Sequence, residues 1–403
     1  MNAAGLGQGT LPRVDLASSP ALRRVDSFLF AAALSCAVTA NTAFFEEFTS
    51  SRLLIALLFL LVVQVCRLPL LLVTGETVLY LAFLTYLTIS LIWTPDTVLG
   101  LNTIFPGADF VVLMVMYGSM FRWHDLHSTI VGALAGFWLC ALAYAARTGY
   151  PLSIPEDFSY NAYAAMYFHG LFLTLLYAWN TGRKFVPLMM SLVLLLHIAA
   201  TTSIKTSLGI LLGIAVIALF YRRDLFKLVG RFGAYIAAGL VGLTYLVLAN
   251  DFVIDRLKYG YARLEIGLKV LAAREDQQGY QGFDERAMWL KEGLRLWREN
   301  PVFGHGVEAF RVPFGITSHS TPVDLLYNSG LIGLGLFYAV FAVFTLRVWR
   351  LRGRPGTGLR SILFGCLVLY ASVTLSGTVF YLSFIGAFFG IAIALLERQR
   401  AAD

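Results

Sequence analysis

Long apolar runs, rather than alternating positions, dominate the chain. Stretches such as Leu53 to Val65 are almost wholly apolar, whereas a strand of an outer-membrane barrel alternates apolar and polar positions over about ten residues. The runs therefore predict helices. They begin near Ser27, Arg52, Thr77, Ile104, Thr129, Tyr160, Phe185, Thr206, Phe232, Tyr327, Arg360 and Tyr381. At about 20 apolar residues per crossing, they amount to about twelve transmembrane helices. One long polar block interrupts them late in the chain. The pattern predicts an all-α polytopic membrane protein with one large outer loop holding short amphipathic helices. Its parts are a tail over residues 1–26, helices one to nine over 27–250, the outer loop over 251–321, helices ten to twelve over 322–397 and a second tail over 398–403.

Basic residues sort the gaps between runs. Every second gap holds Arg23 and Arg24, Arg67, Arg122, Arg183 and Lys184, Arg222 to Arg231, Arg347 to Arg360, or Arg398 and Arg400. An excess of Lys and Arg marks cytoplasmic gaps, which places this set and both tails in the cytoplasm. The other gaps carry Glu46, Glu47, Asp96, Glu156 and Asp157 with isolated Arg52, Arg147 and Lys205, and face outward with the long block. Ala33-Leu34-Ser35-Cys36 loosely resembles a lipoprotein cleavage site. Ahead of so many further spans, the first run reads instead as a retained signal anchor.

Composition agrees. Of 403 residues, 58% are apolar and 14% charged, against about a quarter charged in soluble domains, which excludes a soluble enzyme. The formal charge of +7 does not point to nucleic acid, because the basic residues fall in short clusters between runs and not along one face. Cys36, Cys66, Cys140 and Cys366 are scattered singly, so neither a disulfide framework nor a zinc site is indicated.

Inside the outer block, the stretch from Asp284 predicts a helix capped by that residue, with acids in its first turn. It runs through Trp297 and Arg298 until Asn300-Pro301 ends it. Met288, Trp289, Leu294, Leu296 and Trp297 are interleaved with Arg286, Lys291, Arg295 and Arg298. That amphipathic pattern suits the membrane surface and packing against the protein equally. The glycines of Gly304-His305-Gly306 and of Gly330 and Gly333 predict tight turns and close helix contact.

Proton-driven carriers hold carboxylates or histidines at depth. Here Glu76, Asp109 and Asp324 fall near the ends of expected spans, where a solvated carboxylate costs little. His169 and His197 lie on apolar helices as packed, hydrogen-bonded residues with no evident acidic partner. A proton-coupled transporter is therefore disfavoured. The outer gaps contain no Asp-x-Asp pair, and no metal or other cofactor is implied. What remains outside is cationic: Arg147, Lys205 in the hydroxyl-rich turn Thr201 to Ser207, and Arg286. Cations converging at an outer surface suit a pyrophosphate. His319, just ahead of the tenth span, stands where a neutral imidazole can take a proton from a hydroxyl. His305, between two glycines, competes for that role.

Three stretches resemble the O-antigen ligase family, which shares its outer-loop signature with the Wzy-type polysaccharide polymerases. The first is Trp297-Arg298-Glu299-Asn300-Pro301-Val302-Phe303-Gly304-His305-Gly306, following an arginine, here Arg286. The second is His319-Ser320, nine residues, then Gly330. The third is Thr202 to Ser207, where Lys205 takes the place of the family's arginine. The threonine pair that follows the second motif in ligases is absent, and Gly333 and Leu334 stand there, which favours a polymerase.

The resemblance implies a metal-independent, inverting glycosyltransferase of the bacterial inner membrane, with a periplasmic active site on the outer loop. Its donor would be a glycan on undecaprenyl pyrophosphate and its acceptor a hydroxyl of the lipid A core, in lipopolysaccharide biosynthesis. In a polymerase a second lipid-linked glycan accepts instead. His319 would be the general base, and Arg286 would act on the leaving pyrophosphate together with Lys205 and Arg147. The alternative from another class is a lipid-linked oligosaccharide transporter, which would bind pyrophosphate with the same cations and need no base.

Overall fold

A computed structural model of the chain describes residues 19–43, 50–67, 71–149, 160–183, 185–200, 281–350, 357–376 and 383–402, with single positions between 209 and 258. Among the described residues all regular structure is helical. The elements are α1 (Pro20–Ala43), α2 (Ser50–Arg67), α3 (Gly75–Ser90), α4 (Thr97–Trp123), α5 (Leu126–Thr148), α6 (Tyr160–Thr181) and α7 (Phe185–Ala200). They continue as α8 (Gln281–Trp297), α9 (Arg311–Phe314), α10 (Thr321–Arg350), α11 (Thr357–Ser376) and α12 (Ser383–Ala402). Each expected span coincides with one of these helices except the pair beginning near Thr206 and Phe232, of which only scattered positions are among the described residues. Helices α4, α5 and α10 are long and apolar enough to cross a membrane by length and composition.

Local chemistry sets the helix ends. The Asp96 carboxylate accepts from the backbone N–H groups of Val98 and Leu99, at 2.9 and 3.0 Å, and so caps α4. Asp125 caps α5 by accepting from Ser128 N at 2.9 Å. Helix α1 starts at Pro20 and α12 runs to Ala402, so both continue through residues that the apolar pattern assigned to tails. A helix's backbone ladder does not stop where its apolar face does.

Tight helix pairs build the bundle. Helices α1 and α5 run parallel, and a Cβ on Gly132 or Gly136 would fall 2.2 or 2.1 Å from the carbonyl oxygens of Phe28 and Ala32. Helices α4 and α12 meet the same way, with Gly386 against Phe110 and Gly390 against Met114. Small residues let backbones approach where lipid removes the hydrophobic drive between helices. Aromatic rings fill the space between: Tyr80 stacks on Phe110 at 3.9 Å, and Phe341 meets Phe389 edge-on at 5.1 Å. Ile55, Phe59 and Leu139 are 67–69% exposed on the outside of the bundle, as lipid-facing residues are.

The two ends of the bundle differ. At one end the Arg347 guanidinium donates to both Glu76 oxygens at 2.8 Å and to Glu397. Ser27 hydrogen-bonds His124 at 3.0 Å at that end, and Arg398 donates to the His124 carbonyl. At the other end the polar block after Gln281 packs on the α3–α4 corner and on α10.

Three carboxylates depart from their expected solvated state. Glu76 and Asp324 do lie at helix starts, but both are buried, Glu76 under Arg347. Asp109 lies in the middle of α4, fully buried, and neither carboxylate oxygen has a hydrogen-bond partner. Helix α4 begins at Thr97, ahead of the expected start near Ile104, and this carries Asp109 into its middle. His197 behaves as expected, hydrogen-bonding the Val193 carbonyl at 2.7 Å. His169 is packed between Tyr117 and Phe384, but neither of its ring nitrogens is hydrogen-bonded.

Candidate functional site

The centre of the loop end is a break in α10. Gly330 has φ 61° and ψ −163°, a region open essentially to glycine alone. The break frees helix donors and acceptors, and the run from Pro301 to Gly306 takes them. Leu331 N donates to Pro301 O at 3.0 Å and Ile332 N to Val302 O at 3.3 Å. In return, His305 N donates to Tyr327 O at 2.9 Å and Gly306 N to Asn328 O at 2.8 Å. Buried backbone groups must be paired, and here two segments satisfy each other. The Asn-Pro-x-x-Gly-x-Gly run and the helix glycine are complementary halves of one joint.

The run is shaped to reach the break. Helix α8 ends at Trp297, whose indole N–H donates to Pro301 O at 3.0 Å, and the Asn300 side chain donates to Gly304 O at 2.6 Å. Helix α8 starts at Gln281, three residues earlier than Asp284, so Asp284 lies inside the helix and is not its cap. Of its amphipathic face, Trp289 and Leu296 pack on a small cluster of Ala309, Phe310 and Tyr327. A Cβ on Gly293 would meet Val323 and Phe310 at 2.8 and 2.9 Å. The helix thus packs on the protein through this side.

Beyond Gly306 the loop docks on the α3–α4 corner. Ser90 Oγ accepts from Val307 N at 3.1 Å, and Thr94 Oγ1 donates to Val307 O at 2.6 Å. Thr103 of α4 then donates to the Glu308 carboxylate at 2.6 Å. Glu308 is 3% exposed, its second oxygen has no hydrogen bond, and Arg311 stands 3.7 Å away. Burial raises its carboxyl above the ordinary glutamate value, opposed by Thr103 and Arg311 and reinforced by the nearby Asp324 charge.

His319 stands at the apex of a separate turn. Its φ is +59°, and Glu308, at the same value, is the other non-glycine residue with positive φ among those described. Such strain persists only where surrounding structure holds it. Ser318 does so: its Oγ donates to Ser320 O at 3.0 Å and accepts from Ser320 N at 3.1 Å, closing the turn around His319. The buried Asp324 accepts from Ser318 N at 2.8 Å and ties the turn to the first turn of α10. The imidazole itself is half-buried, 5.8 Å from the Trp289 ring of α8. His305, by contrast, is engaged within the joint, stacked on Tyr327 at 4.5 Å with Nε2 3.1 Å from Leu296 O.

The expected cations are placed unevenly. Arg147 lies exposed in the last turn of α5, which starts at the Ser27 and His124 end and runs parallel to α1, towards the loop end. Position 286 lies one turn before Trp289 on α8, on the same side of the helix; the Arg286 side chain lies outside the described residues. Lys205 lies outside them as well. Among the described residues no cluster of His, Cys, Asp or Glu is arranged to hold a metal ion. Glu308, Asp324 and Ser318 were not singled out from the sequence as site residues. A buried carboxylate beside a positive-φ turn has no local sequence signal.

These features define a helical protein of membrane-helix character in which the loop run Pro301 to Gly306 is spliced into a broken helix, with the His319 turn beside it. Residues 189–338 match the family model described as O-antigen ligase. The resemblance drawn from the three motifs therefore holds across the segment that contains the joint and His319. No curated protein matches the chain significantly.

Proposed function

We propose that the chain is an O-antigen ligase, an inverting glycosyltransferase of the bacterial inner membrane. It moves a glycan from undecaprenyl pyrophosphate to a hydroxyl of the lipid A core, at the periplasmic end of the bundle, with both termini cytoplasmic. The observation that carries this reading is the turn that presents His319, held by Ser318 and Asp324 and flanked by α8. In the reaction the imidazole takes the acceptor hydroxyl proton while that oxygen attacks the anomeric carbon. Attack comes from the face opposite the pyrophosphate, and configuration inverts. A positioned base of this kind contributes about 10²- to 10⁴-fold. Arg286, Lys205 and Arg147 receive the charge that develops on the departing pyrophosphate. The lysine contributes a point charge where the family's arginine would offer a bidentate fork.

A polymerase of the same fold is the second reading, and one observation favours it. At Gly333, where the resemblance to ligases would put a threonine, a Cβ would lie 2.0 Å from Ser329 Oγ one turn earlier on the same helix, so a threonine would require Ser329 to shift. The two readings differ in the acceptor. Purified protein is incubated with undecaprenyl-pyrophosphate glycan and lipid A core, without added metal, comparing wild type with His319→Ala. A His319-dependent gel shift of the core supports the ligase. Growth of lipid-linked chains with an unshifted core supports the polymerase. If neither occurs, the transferase reading fails and a lipid-linked oligosaccharide transporter takes its place.

A further inference from the structure

Far apart in sequence, Cys36 of α1 and Cys140 of α5 meet with their Sγ atoms 2.9 Å apart. The contact follows from helix register. Phe28 faces Gly132 and Ala32 faces Gly136 at backbone contact, and one further step of four along both parallel helices brings Cys36 opposite Cys140. Glycines at two successive steps hold the axes so close that side chains at the third are pressed together. The remaining separation exceeds a sulfur–sulfur bond of about 2.05 Å by less than about 1 Å. Both cysteines lie in the halves of their helices that point to the loop end, two turns inside Ala43 and Thr148.

We infer that Cys36 and Cys140 form a disulfide that staples α1 to α5 beneath the turn of α5 that carries Arg147. The inference rests on the proposed orientation, which puts this end of the bundle on the oxidising periplasmic side. Two S–H bonds are lost and one S–S bond forms. The two electrons and two protons pass to a disulfide-bearing oxidant of that compartment, which is reduced to its dithiol. Cys366, buried in α11, stays a thiol.

The test counts thiols in the full-length protein. Membranes are quenched in acid, denatured in SDS and treated with a polyethylene-glycol maleimide, with and without prior reduction. Wild type is expected to take two adducts unreduced and all four after reduction. Cys36→Ser and Cys140→Ser are each expected to take three adducts under both conditions, because each frees the other's partner. Four adducts on unreduced wild type would overturn the inference. Oxidising the same membranes with copper phenanthroline then shows which part failed. Closure to two adducts keeps the pairing and refutes the orientation, and four adducts again refute the pairing itself. Neither result depends on glycosyl transfer, so failure of the proposed function is read separately.

Discussion

Replacing Gly330 by alanine tests the joint between the Pro301 to Gly306 run and α10. A Cβ there would stand 2.2 Å from Val302 O, 2.4 Å from Val302 C and 2.7 Å from Gly304 N, all backbone atoms with little room to yield. The backbone strain costs about 1–3 kcal/mol. Relief requires the loop to withdraw, which strips Leu331 N and Ile332 N of Pro301 O and Val302 O. Each amide that loses its partner away from water costs about 1–3 kcal/mol more. Even the low end of the sum, about 3 kcal/mol, reduces the docked loop by roughly a hundredfold. The assay is hydrogen exchange followed by mass spectrometry on the detergent-solubilised protein. Peptides spanning 301–308 and 329–333 are expected to lose about a hundredfold of protection, while those of α4 and α5 keep theirs. Gly335→Ala is the control on the same helix, since nothing lies within 4 Å of the added carbon and alanine favours a helix by about 1 kcal/mol. Wild-type protection of both peptides in Gly330→Ala would refute the account of the joint.

Four further outcomes are expected. Asp324→Asn or Ser318→Ala loosens the His319 turn at the cost of about 1–3 kcal/mol of hydrogen bonding; the transfer rate should fall roughly ten- to a hundredfold with donor KM nearly unchanged, and a pure KM effect would contradict a positioning role. Glu308 has a raised carboxyl value, so its ionisation costs stability in full above that value, and the cost declines as pH falls below it, vanishing beneath the ordinary glutamate value. Glu308→Gln, which mimics the neutral acid, should therefore melt higher than wild type at alkaline pH and level with it in acid; the opposite order would refute the sign. Arg286→Glu should abolish donor binding and Lys205→Arg should be tolerated, so normal binding by the first or a dead enzyme from the second would remove that residue from the pyrophosphate site. Arg347→Ala strands the buried Glu76 and should destabilise by about 3–5 kcal/mol, read as a lower melting temperature with the loop end unchanged at first.

What the sequence determined by itself is what lies within a few residues along the chain. Apolar runs specify helices because a backbone in lipid must satisfy its own hydrogen bonds, and ten described helices stand where the runs predict them. Gly330 and the Asn300-Pro301 run were legible as motifs, and their partnership was not. The hydrogen bonds from His305 and Gly306 to Tyr327 and Asn328 join segments separated by the whole His319 turn. Asp109 misled, because α4 begins at Thr97, ahead of the apolar run near Ile104, so a residue expected near a span's end lies in the core. Only the tertiary structure could decide that Glu308 meets Thr103, that Asp324 is buried beneath His319's turn, and that Cys36 touches Cys140. These contacts depend on which helices pack together and in what register. That choice is made by shape across the bundle, at glycines such as Gly132 and Gly386, and no local pattern of polarity encodes it.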